Sequence, residues 1–589
     1  MGTNIIGISA HYHDSACCIL KDGVLVAAAQ EERFTRIKAD ASIPYQAFMY
    51  CLEQAKLTLP DITRIAYYEN PVKKLDRQLW SKRPQITGEF IQSLDPHRPE
   101  RDIREVLGYE GEIMFMDHHL AHAASSFYYS GFDSAAILTV DGVGEWATTT
   151  YGKGRTDKPG IELFEEVHFP DSLGLLYSTI TSYLGFGVND GEYKVMGLAP
   201  YGKPLYVEQF RELLQFGERG QYHLNMKYFD FLKLERMYSG LIAELFGHPP
   251  RKKDTAILPF HQDISKSLQV VLEESLLHMA SYLYDVTGEE NLCMAGGVAL
   301  NCVANGRIAK QSPFKKLFVQ PASNDSGGAL GAAAVAHIML TGEMIEKKEQ
   351  EHVYLGPSYP VNQIEKTLQT TSLKFHHYSN EEELITQTAS RLADGKVIGW
   401  FHGPMEFGPR SLGARSILAD PRDSGMRDRI NSMVKKREGF RPFAPAVLEE
   451  KMNDHFDLPH SSPFMLETCQ VISSLDLPAI THVDGSARVQ TVNGKTNPRF
   501  AALIKAFDEI TGCPILLNTS FNVKGEPIVC NPEDAIRCFI TTDIDCLVLE
   551  DFIIDRSENS LLGMEMILNA YNLSLPTSPA ITTDVYTFV

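Results

Sequence analysis

The sequence predicts a two-domain α/β protein, and three observations carry that prediction. A chain of 589 residues is too long for one core, a strand–turn–strand unit recurs near residue 135, and the strand–helix pattern restarts after residue 351. The first 35 residues read as three strands and then a helix. IIGIS and ACCILKDG flank a polar turn at residues 10–14, and VLVAAAQ follows the Asp22-Gly23 hairpin signal. The unit returns as AAILTVDGVGEWATTTYG: strand, Asp-Gly turn, strand. In each copy an acidic residue stands at the end of the first strand.

A long amphipathic helix over about 264–287 follows, then the strand NLCMA, a Gly-Gly turn and a helix. The strand KLFVQ leads through a polar turn into another helix. A duplicated hairpin unit of this kind is how actin-like phosphotransferase folds are built, with nucleotide held on the turns that carry Asp and Gly. An ordinary α/β domain with coincidental turns also fits the pattern.

The boundary is placed at EHVYLGPSYP, where a Pro/Gly/Tyr-rich stretch follows a charged run, giving domains 1–351 and 352–589. The second begins with a helix over 381–393, the strand VIGWF and a Gly/Arg-rich loop, and later has the strand PILLN. From about residue 557 a short helical pattern gives way to a Thr/Pro/Ser-rich end, expected to be loosely attached.

Net charge is -20 and the pI is near 5.4, which speaks against a nucleic-acid coat or an anionic-membrane binder. The ten cysteines contain no Cys-x-x-Cys pair, so neither a zinc ribbon nor a thioredoxin motif is present. That usage suits a reducing cytoplasm. The N-terminus lacks a signal-peptide pattern, and the most apolar stretch, near 327–340, is too short to span a bilayer. The expectation is a soluble cytoplasmic protein.

In MDHHLAHAASSF, His118 and His122 are four apart in a helical pattern, so both rings face one side. The pair alone also fits the polar start of a helix. Asp141, ending an apolar strand, and Asp325, opening a helix in NDSGGALGAA, extend it to two imidazoles and two carboxylates, a set suited to Fe, Mn or Zn. Gly296 and Gly297, between strand and helix, let a phosphate or ribose approach the backbone, or simply permit close packing. His13 beside Asp14 makes a general base for a hydroxyl, or an ordinary turn pair.

Between Arg410 and Arg441 nine Lys/Arg face four Asp/Glu, a local +5 in an acidic chain. Arg410 lies in the loop FGPRSLGARS, where a guanidinium can read a phosphate or carboxylate. Lys435 and Arg441 belong to the same run, and Arg488 lies further on in ARVQTV. LLNTSFN ends a buried strand with Asn518, Ser520 and Asn522.

Taken together, GISAHYHDSACCILKDG, DHHLAHAASSF, TVDGVGEW, GEYKVMGLAPYG, FGPRSLGARSILADPR, REGFRPFAPAVL and LLNTSFNVKGEPIV resemble the NodU/CmcH family of O-carbamoyltransferases. The resemblance covers nearly all the chain except residues 205–259 and the tail. It implies an actin-like (ASKHA, threonylcarbamoyl-transferase-like) N-terminal domain and a YrdC-like α/β C-terminal domain. In relatives the latter makes carbamoyl-adenylate from carbamoyl phosphate and ATP, releasing phosphate and pyrophosphate, with Mg accompanying ATP. The former then passes the carbamoyl group to a small hydroxylated acceptor at a metal centre, with Fe favoured over Mn or Zn.

By motif, His118, His122, Asp141 and Asp325 match the metal ligands, and Lys38, Gly297 and Asn301 fall where relatives hold the adenylate. His13 matches the acceptor-side histidine. Lys435-x-Arg437 and Ser520-x-Asn522 resemble the Lys-x-Arg and Ser-x-Asn pairs of YrdC-like proteins, with Arg410, Arg441 and Arg488 as further anion contacts. A homodimer is compatible with this reading.

Three rivals fit less well. A tRNA threonylcarbamoyl-type enzyme needs a basic surface. A hydrogenase-maturation carbamoyltransferase carries zinc-finger Cys pairs. An actin-like ATPase module has no use for an Arg-rich second domain.

Overall fold

The computed structural model describes residues 2–81, 94–157, 160–233, 236–435, 438–560, 563–564 and 585. The expected helical pattern and loose end of the tail therefore lie almost wholly outside the described residues. The chain forms two compact units, one of Met1–Glu32 with Ala39–Gln350, the other of Arg33–Lys38 with Glu351–Ala580.

The first unit holds two five-stranded sheets with one topology. In the first, β1 (Asn4–Ser9), β2 (Ala16–Lys21), β3 (Val24–Gln30), β4 (Arg64–Tyr67) and β5 (Ile113–Phe115) run in the order β3-β2-β1-β4-β5. In the second, β6 (Ser134–Val140), β7 (Ala147–Arg155), β8 (Gly160–His168), β9 (Asn291–Ala295) and β10 (Lys316–Val319) run β8-β7-β6-β9-β10. In each sheet two antiparallel strands lie on one side of its first strand and two parallel strands on the other. That repetition is the duplicated actin-like architecture. All six residues of β1 are buried, as a strand covered on both faces requires, whereas the edge strand β8 is mostly exposed or half-buried and carries Glu162, Glu165 and Glu166.

The Ala/Gly-rich stretch near 327–340 is a core helix, α2 (Asp325–Thr341), packed against β1 and against α1 (His118–Phe127). Backbones approach so closely that a methyl on Gly331 would overlap the Ala121 carbonyl, and one on Gly7 the Ala329 carbonyl. This apolar run is filling, and no described helix is long and apolar enough to cross a membrane. All ten cysteines are buried free thiols.

The second unit is built on an eight-stranded mixed sheet. Its strands are β11 (His376–His377), β12 (Ile398–Phe401), β13 (Arg415–Ala419), β14 (Ala444–Leu448), β15 (Gln490–Val492), β16 (Ile515–Ser520), β17 (Cys546–Leu549) and β18 (Phe552–Asp555). They run in the order β11-β18-β17-β12-β13-β16-β14-β15. The helices α3 (Glu381–Ala393) and α4 (Pro498–Thr511) pack on one another, capped by Asn380 and Asn497.

One short segment departs from the sequence order. Residues 33–38, expected in the first domain, group with the second unit because two arginines read its carbonyls. Arg33 Nη2 donates to Gly408 O at 2.9 Å, and Arg36 donates to Pro527 O and Ile528 O at 2.7 and 2.6 Å.

Candidate metal centre and anion-binding face

In the first unit, helix α1 puts His118 and His122 one turn apart with their Nε2 atoms 3.1 Å from each other. Asp141 arrives from the end of β6, and Asp325 is the first residue of α2. His118 Nε2 is 3.1 Å from Asp141 Oδ2 and 3.8 Å from Asp325 Oδ1; His122 Nε2 is 3.5 and 3.6 Å from the same oxygens. All four side chains are buried, and one ligand atom from each lies within 4.8 Å of the others.

Two imidazole nitrogens this close repel unless a proton or a cation sits among them. Burial works against charge on His122, but hydrogen bonds to Asp141 and Asp325 outweigh it and hold the imidazole at about 9. Burial likewise opposes ionisation of Asp141, and its histidine partners overcome that to keep the carboxyl well below its usual range. Two nitrogens and two hard oxygens fit Fe, Mn or Zn.

The surroundings hold these ligands in place. Gly297 N–H donates to Asp141 Oδ1 at 2.9 Å, and Tyr68 O–H reaches Asp325 Oδ2 at 3.4 Å, so each carboxylate keeps one oxygen for the cluster. Glu145, which the sequence reading passed over, accepts from the backbone N–H of His118 at 2.9 Å and of Asn70 at 2.7 Å. Burial pushes its carboxyl above the usual range. Its one sequence signal is its position four residues after Asp141 in a Gly-rich turn.

Gly296 takes φ 94° directly after β9, a conformation glycine supplies freely, and a methyl there would strike the Val140 carbonyl. Asn301 spends its side chain locally. Its Oδ1 accepts from Ala304 N at 3.0 Å, capping the helix Cys302–Gln311, and it exchanges two hydrogen bonds with Gln269 at 3.0 Å each.

His13 Nδ1 meets Asp14 Oδ2 at 2.9 Å, and Asn324 Nδ2 donates to the same oxygen at 2.8 Å. The pair is thereby tied to the turn that carries Asp325. Burial opposes charge on His13, yet Asp325, Asp14 and Asp141 raise it to about 9. His11 is fastened at both ring nitrogens, to Tyr67 Oη and to Asp102 Oδ2, each at 3.0 Å.

In the second unit Lys435 is buried and gathers Ser520 and Asn522. Its Nζ donates to Ser520 O and Oγ at 2.5 and 3.1 Å, and to Asn522 Oδ1 at 2.8 Å. Asn518 donates to Gln490 Oε1 at 2.7 Å and to the carbonyl of Ser411, the residue after Arg410, at 3.3 Å. Arg441 lies 3.8 Å from Glu438, and Arg488 sits in a separate two-stranded sheet opposite Thr468. Lys38 is half-buried and groups with this unit. Arg437 lies outside the described residues.

Much of the local +5 is structural. Arg422 closes on Asp420 at 2.7 Å and Arg429 on Asp545 at 2.8 Å. Arg415 is fully buried, with its guanidinium 3.6 Å over the Phe401 ring and bonded to the carbonyls of His402, Gly403, Pro357 and Cys530. Buried Glu406 answers it, since Oε1 accepts the N–H groups of Leu412, Ala414 and Arg415 at 2.6, 2.8 and 3.3 Å. One guanidinium reading carbonyls and one carboxylate reading N–H groups thus fix the loop that presents Arg410. The lone acid in MEFGPR was the available signal for Glu406.

Sequence models of the family described as Carbamoyltransferase N-terminus and Carbamoyltransferase C-terminus match residues 4–334 and 389–556. An uncharacterised protein of Synechocystis sp. is 45% identical, covering 94% of this chain and 97% of that protein. Nodulation protein NolNO of Sinorhizobium fredii is 41% identical, over 92% of this chain and 79% of its own length. The 3'-hydroxymethylcephem-O-carbamoyltransferase of Amycolatopsis lactamdurans is 37% identical over 45% of this chain and 49% of that enzyme.

Proposed function

Because the chain belongs to the carbamoyltransferase family, we propose that it is an ATP-dependent O-carbamoyltransferase of two half-reactions. The second unit makes carbamoyl-adenylate from carbamoyl phosphate and ATP, releasing phosphate and pyrophosphate. The first passes the carbamoyl group to a hydroxyl of a small natural-product acceptor, leaving AMP. The hydroxyl comes into this reading from the cephem O-carbamoyltransferase relative.

The observation that carries the proposal is the buried His118–His122–Asp141–Asp325 cluster, bonded through Asp141 to Gly297 of the glycine turn. Those four residues would hold a divalent ion, Fe or else Mn or Zn, which supplies Lewis-acid polarisation of the carbamoyl carbonyl. The Gly296–Gly297 turn lets the adenylate approach the backbone, and Asn301, which follows the same turn, is a further nucleotide contact of this reading. A cation held by Asp141 and Asp325 would offset two of the charges that raise His13, and the imidazole, its Nδ1 engaged with Asp14, would then present Nε2 to take the acceptor proton.

In the second unit Lys435 with Ser520, Asn522 and Asn518 forms the base of an anion site. Arg410, Arg441 and Arg488 complete it around carbamoyl phosphate and ATP, whose Mg shares the phosphate charge, and Arg437 is a further candidate on its Lys-x-Arg spacing alone. Such cations offset the repulsion that a chain of net charge -20 imposes on both substrates.

The test separates the half-reactions. Pyrophosphate release from ATP and carbamoyl phosphate is followed with and without a hydroxylated acceptor. His118→Ala and Asp325→Ala should lose bound metal and carbamoyl transfer while retaining acceptor-independent pyrophosphate release. Equal loss of both activities in well-folded variants would sink the division of labour.

A further inference from the structure

We propose that His402, oriented by Glu550, is the general base that delivers water to carbamoyl phosphate in the second unit. The inference rests on the two-step reading above and begins from its stoichiometry. Carbamoyl-adenylate keeps a single oxygen bridge between the carbamoyl carbon and the α-phosphorus. Releasing both phosphate and pyrophosphate therefore balances only if one water is consumed. The water oxygen bonds to the carbamoyl carbon as the carbon–oxygen bond to phosphate breaks. One water proton leaves with the phosphate as hydrogen phosphate and the other passes to the base. The resulting carbamate then attacks the α-phosphorus of ATP through oxygen, and pyrophosphate departs. Such a site needs a base beside its cations, and none of Lys435, Ser520, Asn518 or the arginines is one at neutral pH.

His402 has the geometry for that role. It follows β12 directly, and its Nδ1–H donates to Glu550 Oε2 at 2.6 Å. A carboxylate only accepts, so this bond leaves the lone pair on Nε2. Among the described residues Nε2 makes no hydrogen bond, and the side chain is 23% exposed. Glu550 is itself held on three sides. Its Oε1 accepts Gly403 N–H at 2.7 Å, Arg499 lies 3.3 Å from Oε2, and its backbone takes φ 47°, a conformation ordinarily left to glycine. Burial opposes ionisation of Glu550, but the His402 bond and its neighbours keep it charged below the usual range.

Register puts this dyad on the face that carries the anion cluster. Strands β12 and β16 both pair antiparallel with β13, and Trp400, Ser416 and Ser520 fall in one cross-strand row. Continuing one row, His402 N–H donates to Ala414 O, and Asn522 follows Ser520 by two residues on the other flank. His402, two residues beyond Trp400, therefore stands on the sheet face of Ser520, two strands away, about 10 Å across the sheet. Lys435 bonds Ser520 there, and the Arg410 loop begins at Gly403 and crosses the same face, its Ser411 carbonyl bonded to Asn518.

The experiment supplies carbamate directly. Wild-type protein is assayed for phosphate and pyrophosphate with ATP plus carbamoyl phosphate, and for pyrophosphate with ATP plus ammonium carbamate. His402→Gln should slow phosphate release from carbamoyl phosphate on the order of 10²-fold or more, and ammonium carbamate should restore pyrophosphate release to near the wild-type rate. Glu550→Gln, which keeps an acceptor for Gly403, should show the same pattern more weakly. Wild-type phosphate release by His402→Gln would overturn the proposal, as would equal loss with both substrates, which marks a structural role. If wild-type protein makes no pyrophosphate with either substrate, the two-step reading itself fails.

Discussion

The backbone N–H of Gly297 donates to Asp141 Oδ1 at 2.9 Å, while the other oxygen of the same carboxylate stands 3.1 Å from His118 Nε2. One carboxylate thus joins the glycine turn to the His/Asp cluster.

That link gives a selective perturbation. A methyl at Gly297 would approach Asp141 Oδ1 at 2.9 Å and nothing else, and the residue has no left-handed φ to strain. Gly297→Ala should therefore weaken divalent-metal affinity about 10–100-fold, the usual effect of losing an outer contact to a ligand, with the thermal midpoint of the apoprotein little changed. Metal competition against a chelating dye reads this without any turnover. Unaltered affinity would mean that the Gly297 bond does not position Asp141.

His13 is predicted to act on the acceptor alone. Its Nδ1 is engaged with Asp14, which Asn324 holds in turn at 2.8 Å, leaving Nε2 as the working end. His13→Asn should lower carbamoyl transfer by on the order of 10²–10⁴-fold while acceptor-independent pyrophosphate release continues. Asn324→Ala should give a smaller loss of the same kind by freeing Asp14. Single-turnover transfer from preformed carbamoyl-adenylate measures both, and an undiminished rate in His13→Asn removes the residue from the mechanism.

Local pattern carried much of this fold. NLCMA and the helix over 381–393 have the bounds Asn291–Ala295 and Glu381–Ala393, because apolar periodicity and Asn caps are written within a dozen residues. The His118–His122–Asp141–Asp325 cluster was legible for a related reason: an i,i+4 histidine pair and two strand- or helix-terminal carboxylates each carry a local mark. What stayed hidden depends on distant partners. Arg415 looks like one more cation in a basic run until the carbonyls of Pro357 and Cys530, 58 and 115 residues away, absorb it. Lys435 shows its neighbours only across 85 residues, and nothing in EERFTRIK tells that Arg36 will read carbonyls 491 and 492 residues on.

The Arg410 loop yields a test of charge against shape. Glu406 and Arg415 fix its backbone, so the loop is preorganised and Arg410 is presented by a rigid frame. Arg410→Lys keeps the charge and loses the planar two-point grip on a phosphate. It should raise the KM for carbamoyl phosphate or ATP by about 10-fold or more, each charge-assisted bond lost costing about 1.5–3 kcal/mol, while transfer from preformed carbamoyl-adenylate remains. Initial rates of pyrophosphate release across both substrates decide it, and wild-type constants in Arg410→Lys would exclude Arg410 from the anion site.

The long helix Pro259–Thr287 supplies a pH-dependent prediction away from any ligand site. His261 Nδ1 accepts the N–H of Leu258, the residue before the first turn, at 2.8 Å, a bond that only an imidazole with an unprotonated Nδ1 can make. Burial, with Arg251 and His248 nearby, lowers His261 from 6.5 to about 4. The folded state thus binds this proton less readily than the unfolded chain does. Its contribution to stability is complete above about pH 6.5, declines as pH falls toward 4, and is lost below that. His261→Gln keeps an acceptor for Leu258 and cannot titrate in this range. The variant should match the wild type at pH 7.5 and exceed its thermal midpoint by about 2–5 °C at pH 5. Exchange of the Leu258 amide should accelerate on acidification in the wild type beyond the intrinsic trend, and should not in the variant. Parallel pH profiles for the two proteins would show that His261 keeps its cap when protonated, against the geometry of the bond.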